Sequence, residues 1–298
     1  MSRNPRRGIW LMVATVMVFA VQDGFSRLLA GNYNTLMVVM IRYWVFAACV
    51  LVLAWHRPEG LRAAVASHRL PAHVLRSVLL VAEICIIVWG YTMIGLIASH
   101  AVFAICPLLV VALSGPLLGE RISWRRWLAV AFGAVGVLII LRPGAAVFVW
   151  PALLPLASAV MFALYIILTR LTTRDEPSFA AFFWPPVIGA GLMTGIGLPY
   201  WQAVTPRDWL FLAVYGLLSV LSNWLLQKTY EVAEASSVQP FAYLQIVFVT
   251  VIGLSFFGEH LAVQIVIGTA VVVLAGLYTL YLSRGEGRAV ATDDGPLV

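Results

Sequence analysis

Residues Tyr91 to Arg121 read YTMIGLIASHAVFAICPLLVVALSGPLLGER, and residues Tyr230 to His260 read YEVAEASSVQPFAYLQIVFVTVIGLSFFGEH. Laid over one another without gaps, they match Tyr91 with Tyr230, Gly119 with Gly258 and Glu120 with Glu259, all at an offset of 139. Both stretches are apolar over much of the length that a helix needs to cross a bilayer, about 20 residues. Both close on Gly-Glu: the glycine ends a helix, and the acid sits near the start of the next, where its charge suits the helix dipole. The chain has 298 residues, so the offset is close to half of it and implies two copies of one unit.

Composition sets the class. Hydrophobic residues make up 62% of the chain and charged residues 11%, which is far outside the soluble range. Reading each long apolar block as a membrane helix predicts ten segments: 9–29, 35–55, 74–94, 97–118, 124–141, 148–168, 178–199, 207–228, 235–257 and 261–282. A β-barrel is excluded because its strands would alternate apolar and polar residues, whereas these blocks are apolar on every face. Arg3, Arg6 and Arg7 precede the first block, but no small-residue cleavage site follows Val21, so the first block is expected to stay as a helix. Five segments per half is an odd number, so the second copy must enter the membrane upside down, as an inverted repeat. The units are expected at 1–143 and 144–284, followed by a disordered tail at 285–298.

Of the 19 basic residues, those of the loops fall almost entirely on one side, with Arg142 and Arg207 alone on the other. The positive-inside rule then makes both termini cytoplasmic, and the expected location is a bacterial inner membrane. The net charge of +6 is a topology signal and not a sign of nucleic-acid binding. Cys49, Cys85 and Cys106 fall inside predicted helices, so no disulfide is expected. The chain has no HExxH motif, no paired-acid motif inside the membrane and no phosphate loop, so no metal, cofactor or enzymatic role is expected.

A polar residue inside an apolar helix marks a path. Glu83, in VAEICIIVWGY, lies near the middle of segment three, where a charged side chain costs about 2.5 to 3.5 kcal/mol on insertion scales. It needs water, a hydroxyl or a proton of its own, and no direct pair with His100 is expected. Segment eight carries Ser219, Asn223, Gln227 and Tyr230 on one helical face, which is either a substrate stripe or a set of interhelical hydrogen bonds. Segment nine offers Gln239, Tyr243 and Thr250, and segment four offers His100. His100 and Gln239 match at the repeat offset and are expected at opposite ends of one path. Trp89 and Trp224 lie deep enough to stack an apolar or aromatic solute, and Tyr91 completes the candidate contacts. Asp23, Arg27 and Arg42 share one side of segments one and two and are expected to form a structural charge cluster or an outer gate. Gly115/Gly119 and Gly191/Gly195 are GxxxG spacings that fit close packing within the chain as well as a homodimer.

The block from Tyr91 to Ile140, with Ala98, Ser99, Pro107, Gly119, Glu120, Arg121 and Gly136, resembles the fourth and fifth helices of an EamA-type domain of the drug/metabolite transporter superfamily. EICIIVWGY around Glu83 resembles the third helix of the YddG-type aromatic amino acid exporters. The resemblance implies ten helices around a central path walled by segments 3, 4, 8 and 9. It implies export of neutral or aromatic amino acids by alternating access, with the bilayer and a small solute as partners. A multidrug or organic-cation exporter is the alternative, and an intramembrane transferase the remote one. In segment nine Ile246 stands where Pro107 stands in segment four, so any kink there is expected elsewhere.

Overall fold

The computed structural model describes residues 5–58, 62, 65–119, 122–141, 150–173, 178–232 and 241–293. Among them the secondary structure is helical, with no strand. The helices are α1 (Pro5–Asn32), α2 (Thr35–Trp55), α3 (Leu70–Ile94), α4 (Leu96–Phe103), α5 (Cys106–Leu118), α6 (Trp124–Leu141), α7 (Leu153–Thr173), α8 (Ser178–Gly197), α9 (Pro206–Val232), α10 (Leu244–Phe257) and α11 (Val263–Asp293). Predicted segment four is α4 and α5 together. The others match one helix each, so α7 to α11 are segments six to ten.

Eight of the described stretches are long and apolar enough to cross a membrane, with α4 and α5 counted as one, and α10 and α11 supply two shorter apolar helices. Helix α11 runs on to Asp293, past the expected end at Leu282 and into the expected disordered tail. Extending a formed helix costs little, and each of Gly285 and Gly287 weakens it by only about 1 kcal/mol.

Segment four breaks between Phe103 and Cys106, where Pro107 lacks the N–H that would bond back into the preceding turn. Among the described residues of segment nine, the interruption falls at Tyr243, the offset partner of Ala104. This corrects the expectation that the two kinks differ in place. The backbone turn recurs without the proline: Ile246 N–H bonds the Tyr243 carbonyl at 3.1 Å, a tightened turn like that of Leu108 on Ile105 at 2.9 Å.

Packing follows the repeat. Helix α1 lies against α9 and α10, while α7 lies against α3 and α5; α9 packs on α2, and α3 on α8. The pairs α2 with α8 and α6 with α11 join equivalent helices. Exchanging the two halves maps this set onto itself. At the α6–α11 contact, a Cβ on Gly136 would stand 2.8 Å from the Gly268 carbonyl oxygen, so glycine lets the backbones touch. Close packing within the chain does not explain Gly191 and Gly195, where an added Cβ would meet nothing within 4 Å.

Candidate functional site

Polar side chains gather inside the bundle in three groups. The first sits where α3 turns into α4. Gly95 makes that turn at a φ of 93°, and a Cβ there would lie 3.0 Å from the Glu259 carboxylate, so both the backbone and the neighbour require glycine. Gly258 ends α10 in the left-handed region, and Glu259 N–H reaches back to the Gly253 carbonyl at 3.0 Å. The turn expected from Gly-Glu is thus present, but its acid does not stay local. Its carboxylate crosses to the first half, accepts hydrogen bonds from the Leu96 and Ile97 N–H groups at 2.7 and 2.8 Å, and pairs with Arg27 at 3.0 Å. Arg27 also donates to the Tyr91 carbonyl and covers the Phe257 ring. A cavity of about 300 Å³ opens onto this latch, lined by Arg27, Met93, Ile97 and Glu259 among others.

The second group lies deeper. Asp23 pairs with His100 at 3.1 Å and accepts a hydrogen bond from Gln245 at 3.1 Å. The Tyr91 hydroxyl is 3.0 Å from the same His100 nitrogen, and the two rings stack at 5.4 Å. The group therefore draws on α1, α3, α4 and α10. The sequence expectation put Asp23 with Arg27 and Arg42; the three side chains instead take separate partners. Residues four apart on a helix are neighbours, but a side chain on a third helix can come closer still.

The third group is central. Glu83 is buried and accepts a hydrogen bond from Ser158 of α7 at 2.8 Å. A hydroxyl, one of the three partners expected for it, is present, and Glu83 does not pair with His100. Arg42 is buried on α2, donates from Nε to Ser219 at 2.6 Å, and faces the rings of Tyr43 and Tyr215. Asn223 turns back to the Ser219 carbonyl at 2.8 Å, and Ser222 donates to Gln22 at 2.9 Å. Gln227 is half-buried and engaged, Gln239 lies outside the described residues, and so does the side chain of Tyr230. Tyr243 is buried against Gly276, and among the described residues its hydroxyl has no partner.

Trp89 and Trp224 do not join these groups. They are 47% and 45% exposed, and Trp89 packs edge-on to Trp150. At about 100° per residue, Trp224 sits about 140° around α9 from Ser219, in an exposed apolar stripe with Leu210, Leu217 and Leu221. Depth along a helix does not decide which way a residue faces.

Sequence reasoning missed Ser158, a lone serine in an apolar block, and Arg76, which lies inside predicted segment three. Arg76 is fully buried, bonded to Thr169, Thr172 and His73 and set 5.2 Å from the centre of the Tyr165 ring.

An apolar helical bundle with acids, bases and hydroxyls in its interior, contributed by both halves, is the architecture of a membrane transporter. The EamA-like transporter family model matches residues 6–142 and again 149–282, and the chain belongs to that family. It is 27% identical over 279 residues to the riboflavin transporter of Vibrio cholerae, covering 92% of this chain and 93% of the relative. It is 23% identical over 279 residues to the S-adenosylmethionine uptake transporter of Rickettsia prowazekii, covering 93% of each. A crystal structure shares the fold at a TM-score of 0.66 and 16% identity, covering 94% of this chain and 99% of that one. The chain is a multi-pass membrane protein of a transporter family.

Proposed function

We propose that this protein is a secondary carrier for a small polar metabolite with a heteroaromatic ring, of the kind its relatives carry, and that it works by alternating access. The observation that carries the reading is the buried polar interior, walled by helices of both halves and holding Glu83, Arg42, Asp23 and His100 away from lipid. Charged side chains are kept at such depth where they serve a path. The names of the relatives do not support amino-acid export in particular, although S-adenosylmethionine carries an amino-acid head. In this reading the ten segments form two inverted five-helix units, supported by the doubled family match and by a packing pattern that survives exchange of the halves. Both termini are then cytoplasmic, and the Arg27–Glu259 latch closes the outer side.

The test is uptake of labelled riboflavin, S-adenosylmethionine and a set of amino acids by purified protein in liposomes. Saturable uptake of a heteroaromatic solute is expected. Uptake of amino acids alone would return the substrate to the exporter reading, and uptake of nothing would remove the carrier reading. Reporters fused after Val298 and within the His56 to Arg69 loop should both read cytoplasmic.

A further inference from the structure

Arg42 is a buried cation whose company is incomplete. It is 6% exposed, donates from Nε to Ser219 at 2.6 Å and also engages the Tyr215 hydroxyl, both of them neutral partners. The Tyr43 and Tyr215 rings lie 5.7 and 5.5 Å away and favour a cation, but they neutralise nothing. Among the described residues no carboxylate comes within ion-pair distance. The two acids within electrostatic reach, Glu83 and Asp23, are engaged elsewhere, Glu83 by Ser158 and Asp23 by His100 and Gln245.

Next in the chain, the Tyr43 hydroxyl is buried and has no hydrogen-bond partner among the described residues. Its ring is seated over Gly189, where any larger residue would collide with it. Buried hydroxyls are normally paired, and buried cations normally meet an anion. An unpartnered hydroxyl thus belongs to a tyrosine whose ring lies 5.7 Å from a guanidinium that has no anion. Their common complement is an acceptor-only anion with several lone pairs, such as a planar carboxylate, which a guanidinium binds through its amino groups.

We infer that Arg42, with the Tyr43 hydroxyl beside it, is the receptor for a carboxylate on the transported solute. The inference rests on the carrier reading above and narrows it to carboxylate-bearing metabolites. Glu83, of opposite charge and within electrostatic reach of Arg42, then suits an ammonium on the same solute, so that a zwitterionic head is matched at both ends.

The experiment uses the full chain in liposomes with three labelled probes: S-adenosylmethionine, its decarboxylated form and riboflavin. For the wild type, S-adenosylmethionine is expected to be favoured over the decarboxylated form by about tenfold or more, the value of one good charged contact. Arg42→Gln should abolish that preference, Arg42→Lys should restore part of it, and the near-isosteric Tyr43→Phe should raise the KM for the carboxylate probe while leaving that for the decarboxylated one unchanged. Equal uptake of the two forms by the wild type would overturn the inference and leave the carrier reading standing. So would uptake of riboflavin alone, unchanged in Arg42→Gln. A Tyr43→Phe protein that melts normally and keeps the full preference would also count against it, even if Arg42→Gln fails to fold. Uptake of none of the three would overturn both readings.

Discussion

Replacing Glu259 with alanine should unlock the α4 N-terminus without unfolding the protein. Its carboxylate accepts two backbone N–H bonds, from Leu96 and Ile97, and holds Arg27 at 3.0 Å, with side-chain exposures of 12% for the acid and 20% for the arginine. Loss of a helix N-cap alone costs about 0.5 to 2 kcal/mol, and each hydrogen bond to a charged group is worth about 1.5 to 3. Partial exposure lets water recover part of that, which leaves about 2 to 4 kcal/mol for Glu259→Ala. At 1.4 kcal/mol per factor of ten, the Leu96 and Ile97 amides should then open about 30 to 700 times more often. Glu259→Gln keeps an acceptor and should lose about half as much. Hydrogen exchange read by mass spectrometry on the 91–99 segment measures this directly, with α6 as the internal control. Unchanged exchange at Leu96 and Ile97 would refute the latch, and equal loosening of α6 would mean that Glu259 supports the whole fold.

Three further outcomes are expected. In a double-mutant cycle, Asp23→Asn and His100→Gln should be non-additive by about 0.5 to 3 kcal/mol in thermal stability, whereas Asp23→Asn with Arg42→Gln should couple more weakly, through electrostatics alone. Ser158→Ala removes the donor to Glu83 and should cost about 1 to 3 kcal/mol of stability, while Glu83→Gln keeps an acceptor, melts near the wild type and loses transport. Gly136→Leu should destabilise by about 1 to 3 kcal/mol because its Cβ meets the Gly268 backbone at 2.8 Å, and Gly191→Ala should be neutral or stabilising since nothing lies within 4 Å of it.

The membrane class and the positions of the helices were legible because a bilayer demands long apolar runs, and such runs survive in any single sequence. Residues with interior roles were legible for the same reason: Glu83, Asp23, Arg42 and His100 are conspicuous in apolar blocks. Their partners were not. Ser158 is unremarkable among its neighbours, and Asp23 meets a histidine 77 residues away rather than the arginine one turn along. Glu259 looked like part of a turn, because the turn is local and the contact it serves is 162 residues distant. Trp89 and Trp224 were misplaced because membrane depth can be counted along a sequence, whereas facing depends on which neighbours each helix finds.

The reach of Glu259 into the other half also bears on how such a gene can change. A carboxylate encoded near the C-terminus completes a helix encoded in the first third, so neither half is a finished module. A recombination event between residues 142 and 149 that imports a foreign second half inherits working apolar helices at once. It inherits a latch only if the newcomer brings an acid to the spot where Leu96, Ile97 and Arg27 wait. Exchange of whole halves among relatives is thus filtered at this one junction, and the two halves are bound to a shared ancestry by three contacts to a single side chain.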